Sequence, residues 1–315
     1  MNHLVHDLFL RLDSTRSEHP DNLTNEVLTV GEALLKLTVL GLLAAVQSDP
    51  ERSGYALEYR LTKAGGLGTW SNLPNDLTNG PAAQHLVADI TEDILLLDEK
   101  HGAGHYLHEV GAITRRVLSQ VQPEVRPNLR SARGITWIHD FVAIRNATRG
   151  HGALPSRLYV TLGAELEPAL RLFAKHYPLF QRGWAHVRRN ESTKYRVNML
   201  SDYDKDRFEH LKRRSETPIN LADGIYIAMG EELRRVPLAF PDEDTAGGFK
   251  GLYLPNGQAK DARLPVLDYG SGRRQTQSLP DHSKRPGKLP PSETSARSEL
   301  YIPEGAGAFA NQECP

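Results

Sequence analysis

The chain has 315 residues, of which 39% are hydrophobic and 24% charged, with 38 Lys and Arg against 39 Asp and Glu. That mix buries a core, which excludes a chain disordered throughout, and the length accommodates two domains of ordinary size. A net charge of −1 excludes nucleic-acid binding through bulk charge, so local clusters must carry any such binding.

His3, His6 and Asp7 interrupt the first ten residues, which therefore do not read as a signal peptide. Leu23 to Gln47 reads as a helix, apolar on most faces toward its end, and so as a buried core helix. Its longest apolar run, Leu37 to Val46, is too short to cross a bilayer, and no membrane partner is expected. Leu67-Gly68-Thr69-Trp70 opens a short helix with Trp70 as its anchor and Thr69 as a candidate cap. Ala83 to Leu97 is amphipathic, with Asp89, Glu92, Asp93 and Asp98 on the wet face. The chain breaks at His101-Gly102-Ala103-Gly104 and resumes as a helix from His105 to Val121. Ile135 to Asn146 is a helix ending near Gly150 or Gly152, and Arg157 to Lys175 is another, with Leu158, Leu162, Leu166, Leu170 and Phe173 at helical spacing.

After Pro178 the period changes. Trp184 to Leu200 alternates around a turn at Arg189-Asn190-Glu191-Ser192. Asp223 to Met229, Arg234 to Phe240, Gly248 to Leu254 and Leu264 to Tyr269 are strand candidates, and Asn256-Gly257 is a turn signal. From Gln275 the composition turns to Ser, Pro, Lys, Arg and Gly without periodicity. The expected fold is mainly α: a helical bundle over 1–180, a small β-rich module over 181–274 and a disordered tail over 275–315. The single cysteine, Cys314, lies in that tail; it excludes an internal disulfide or a cysteine zinc site and fits a cytoplasmic location.

Two metal patterns fail. His101, His105 and His108 are spaced for one helix face, but Gly102 and Gly104 break that helix, so a polar helix entrance is the better reading. Asp202, Asp204 and Asp206 resemble the start of a calcium loop, yet Arg207 and Arg213 stand where it needs glycine and glutamate. No metal and no cofactor are expected.

The run that carries chemistry is Arg145-Asn146-Ala147-Thr148-Arg149-Gly150-His151. A guanidinium at the end of a mostly apolar helix needs an anionic partner, and its planar fork matches phosphate oxygens. Past a glycine, His151 can return toward Arg145 and move a proton near neutral pH. Asn146 can orient the phosphate or the imidazole. By spacing alone, the favoured reading is instead a glycine-closed helix end where the dipole favours Arg149 and His151. Arg115, Arg116, Arg126, Arg130, Arg133, Arg145 and Arg149 face only Glu124 and Asp140 between residues 111 and 150. Of these, Arg149, Arg133 and Arg130 are the candidate RNA contacts. A second basic cluster, Arg182, Arg188, Arg189, Lys194 and Arg196, is interleaved with Trp184 and Tyr195, either as a base-stacking surface or as ordinary hairpin packing.

The run resembles the motif of the HEPN superfamily, in which Arg is followed by a polar residue, commonly Asn, and then by His four to six residues after the Arg. The amphipathic helix directly after it fits that family's bundle, and the resemblance covers roughly residues 20 to 178. It implies a dimer with two motifs facing one cleft, and a metal-independent endoribonuclease leaving a 2′,3′-cyclic phosphate. It implies Arg145 and His151 as catalytic residues with Asn146 in support. It also implies toxin–antitoxin, phage-defence or RNA-processing settings, with an antitoxin or defence protein as partner. Some members of the family only bind nucleotides, RNA or proteins.

Overall fold

The structure, a computed structural model, describes residues 2–19, 22–47, 49–63, 66–149, 155–189, 194–212, 221–243, 249–256 and 259–264. All of them lie in one compact unit, residues 1–271. The expected tail, 275–315, lies outside the described residues, as does His151.

The described chain is mainly helical, as expected, with a small antiparallel sheet after the bundle. Helices α1 (His3–Glu18), α2 (Leu23–Leu43), α3 (Ser53–Thr62), α4 (Leu67–Asn79), α5 (Ala88–Asp98), α6 (Tyr106–Val121), α7 (Gly134–Arg149) and α8 (Ser156–His176) come first. They are followed by β1 (Trp184–Arg189), β2 (Tyr195–Met199), α9 (Lys205–Lys212), β3 (Gly224–Met229), β4 (Glu232–Arg235), β5 (Phe240–Glu243), β6 (Phe249–Asn256) and β7 (Ala259–Leu264). Helices α1, α3 and α9 are additions to the sequence reading. No helix among the described residues is long and apolar enough to cross a membrane.

Helix α2 is the axis of the bundle. An apolar surface on nearly every face can be removed from water only by neighbours on every side. Helices α1, α4, α7 and α8 pack around it. Close approach is made possible by small residues. Gly31 sits under the ring of Phe141 and Gly41 under Leu179, while Gly163 of α8 lies directly on the Thr24 backbone. The Thr24 hydroxyl is buried there. It donates to the Tyr159 carbonyl and accepts from the Gly163 amide at 3.0 Å, so both of its polar functions are met. Trp137 of α7 stacks on Phe173 of α8 at 4.3 Å, and Phe173 on Tyr177 at 4.9 Å, which extends the core toward the sheet.

The four-stranded sheet has the order β2-β1-β3-β4, all antiparallel. Strand β3 is buried on both faces, and its period of two sorts the residues. Ile225, Ile227 and Met229 join the helices' core, whereas Tyr226 and Ala228 meet Phe208 and Leu211 of α9 on the other face. The period change at Pro178 thus marks a change of element through which the hydrophobic core continues. A second sheet has the order β5-β6-β7.

Several local expectations are revised. Thr69 lies inside α4, whose cap position is Gly66. The strand expected at 234–240 is two strands, because Pro237 offers no amide proton and Leu238 takes a left-handed φ of 55°. Only Leu264 of the strand expected at 264–269 is described, as the last residue of β7. Trp184 is not a stacking platform: it is 1% exposed and donates its indole N–H to the Leu179 carbonyl at 3.0 Å.

Arg182 fastens the helices to the sheet. Its guanidinium reaches buried Asp93 at 3.0 Å and also Asp89, both on α5, while its carbonyl accepts from the Ser201 hydroxyl at 2.9 Å. Asp89 in turn accepts from the Gly230 amide at 2.9 Å, in the turn after β3.

The polar entrance to α6 has a chemical consequence. His105 is the N-cap, its Nδ1 accepting from the Leu107 amide at 3.2 Å, and its ring stacks on His101 at 4.0 Å. Burial, then the neighbouring His101, holds its pKa below the ordinary histidine value, with Glu99 opposing. A depressed folded-state pKa means that the cap contributes fully above the unfolded value of about 6.5 and is lost as pH falls through the folded value. The melting temperature should therefore drop between pH 7 and pH 5 by more in the wild type than in His105→Asn, which caps without titrating. Equal drops in parallel thermal melts would remove His105 from the acid response.

Candidate functional site

The candidate residues lie where the C-terminal end of α7 crosses one face of α2. A helix presents residues four apart on one side. Asn25, Thr29, Glu32 and Lys36 make a stripe along α2, and Arg145 and Arg149 make the facing pair on α7.

Glu32 is the hinge of the arrangement. One carboxylate oxygen, Oε1, accepts from Arg145 Nε at 2.8 Å and from Arg149 Nη1 at 2.8 Å. Arg149 also reaches the Asn25 carbonyl and the Thr29 hydroxyl, each at 2.9 Å. Asn146 is tied to Arg145, because its Oδ1 accepts from Arg145 Nη1 at 3.2 Å and steadies that guanidinium. The side chains of Arg145 and Arg149 remain 28% and 30% exposed, so solvent reaches both. Glu32 is more enclosed, at 16%.

Lys36 lies one turn of α2 beyond Glu32 and is only 6% exposed. Its ammonium stands 5.5 Å from the centroid of the Trp70 ring. Burial pulls its pKa below the ordinary lysine value; Glu32 opposes that shift and Arg145 adds to it. Three cations therefore share one carboxylate. Exposure falls along the line from the two arginines to Lys36.

The other candidate contacts are elsewhere. Arg130 and Arg133 are exposed just before α7 begins, and Arg133 pairs with Asp98 at 3.4 Å. Roughly 18 Å of helix rise separates Arg133 from Arg145. Arg115 is held by Asp140 at 2.7 Å. Much of the basic stretch between residues 111 and 150 is thus neutralised by acids from α2, α5 and α7 itself. In the second basic cluster, Arg182 is committed to Asp89 and Asp93, and Tyr195 exchanges hydrogen bonds with the Leu221 backbone.

Glu32 and Lys36 were missed in the sequence reading. The available signal was a pair of charged residues one turn apart in a helix apolar nearly all round. No group of side chains suited to a metal ion occurs among the described residues. The site can bind and orient an oxyanion, because its two guanidiniums already converge on one. No family model matches the chain, and no curated protein or solved structure does either.

Proposed function

We propose that the chain is a metal-independent endoribonuclease of the HEPN type, with Arg145, Asn146 and His151 as its chemical residues. The supporting observation is the convergence of Arg145 and Arg149 on one half-enclosed oxyanion at the end of the helix that leads into His151. A carboxylate oxygen held by two guanidiniums is a stand-in for a phosphate oxygen held the same way. In the reaction, the 2′-hydroxyl of RNA attacks the adjacent phosphorus and the 5′-oxygen leaves, forming a 2′,3′-cyclic phosphate. Arg145 holds the phosphate, Asn146 steadies Arg145, and His151 moves a proton at one of the two oxygens. A homodimer and a toxin or phage-defence role, with an antitoxin or defence protein as partner, complete the proposal.

One observation favours a second reading, a module of the same fold that binds a nucleotide or RNA without cutting it. Arg145 Nε is already bonded to Glu32, so the guanidinium is placed for grip whether or not a reaction follows.

Mixed RNA incubated with the wild type and with His151→Ala, chelator present, separates the two. The wild type should cut and leave cyclic phosphate ends, and the variant should not. Binding without cutting by the wild type selects the second reading. Cutting that survives in His151→Ala defeats the proposed mechanism.

A further inference from the structure

Lys36 poses a problem that the endonuclease reading leaves unsolved. An ammonium this far from water needs an anion or a set of acceptors. It makes no hydrogen bond among the described residues, and the carboxylate that acts on it, Glu32, already accepts from two guanidiniums with the same oxygen. The Trp70 face offers a cation–π contact, which offsets only part of the cost of burial. The three cations and one carboxylate therefore hold a surplus of two positive charges, one of them the enclosed ammonium of Lys36.

From this surplus we infer that the cluster between α2 and α7 takes a terminal phosphate monoester of RNA, with Lys36 as the cation that selects the dianion over an internal phosphodiester. The inference rests on the reading that this cluster accepts RNA phosphate. An internal phosphodiester carries one negative charge, which the two arginines suffice to meet. A terminal monoester carries about −1.5 to −2 near pH 7 and presents three acceptor oxygens. Its charge matches the surplus, and its additional oxygens can reach the deeper cation while the arginines hold the outer ones. The arginines meet solvent while Lys36 is nearly closed off, which suits a compact end group better than a chain passing through. The lowered pKa of Lys36 agrees, since an incoming dianion would stabilise the ammonium that burial disfavours.

The test measures binding of two 2′-O-methyl tetranucleotides, which lack the nucleophile and cannot be cut. One ends in a 3′-phosphate and the other in a 3′-hydroxyl. At pH 7.5 the wild type should bind the phosphate-ended probe about tenfold more tightly. The preference should shrink at pH 5.5, where a monoester whose second pKa is about 6 becomes largely a monoanion. Both Lys36→Met, which keeps the stem against Trp70, and Lys36→Gln should abolish the preference. Equal binding of the two probes, or a preference that survives both substitutions, overturns the inference. The wild-type comparison and its pH dependence decide the matter even if neither variant folds. Cleavage of mixed RNA without any end preference would leave the nuclease reading standing and remove this one. A preference without cleavage would do the reverse, and failure to bind either probe removes this inference whatever the cleavage result.

Discussion

Arg182→Met should destabilise the protein by about 3–5 kcal/mol at pH 7, the usual cost of removing one partner from a buried ion pair. Asp93 is 5% exposed in its side chain and depends on Arg182 for charge compensation. Burial already raises the pKa of Asp93, with Arg182 opposing the shift, so taking the guanidinium away raises it further. The sign follows directly. A carboxyl whose folded pKa lies above its unfolded value destabilises the fold as pH rises through the folded pKa, and this cost is absent below the unfolded value. The deficit of Arg182→Met should therefore shrink in acid. Adding Asp93→Asn should restore part of the stability at neutral pH, because the stranded charge is gone. Urea unfolding of the three proteins at pH 7 and pH 5 measures both effects. A deficit below about 1 kcal/mol, the range of exposed pairs, would show that the contact is a surface bridge.

Gly163→Ala is the second large effect, and its sign is the informative part. In an ordinary helix interior Ala is more stable than Gly by about 1 kcal/mol. Here a methyl group would stand 2.7 Å from Thr24 Cα and 2.9 Å from Thr24 N, with backbone on the other side of the contact. Backbone cannot rotate away, so α8 must move off α2 and stretch the Gly163 amide–Thr24 hydroxyl bond. Overpacking of this kind costs about 1–3 kcal/mol and occasionally more, so a net loss of about 1 kcal/mol is expected after the propensity gain. A melting temperature at or above that of the wild type would mean that the helices are not in close contact there.

The fold was readable where one element's own residues decide it. The leucine spacing of α8 and the alternation of β1 and β2 delimited their elements nearly to the residue, while the apolar run of α2 marked its start but ran four residues past its end at Leu43. Helix α1 carries local signals, with Leu4, Leu8 and Leu12 one turn apart and Asn2 capping it by accepting from the Val5 amide, but its first turn also hangs on the distant Leu200 carbonyl. Helices α3 and α9 are short and polar, and such segments are helical only through what they pack against. The candidate site divides in the same way. Arg145, Asn146 and Arg149 were legible because they are neighbours in sequence. Glu32 is 113 residues from Arg145, and nothing local announces that pairing. Basic residues counted along the chain also overstated the free positive charge, since Arg115, Arg133 and Arg182 each meet an acid from another element.

The bridge between Asn2 and Ser201, with the His3 amide bonded to the Leu200 carbonyl at 2.8 Å, bears on how the protein is made. A ribosome adding roughly 5–20 residues per second needs roughly ten to forty seconds to reach the second partner after the first has emerged. Helix α1 can dock on α2 early in that interval, but its leading turn stays unclamped until strand β2 has left the exit tunnel. The first turn of α1 is thus secured only after about two hundred later residues have been made, so an element formed early is completed by a contact that forms late.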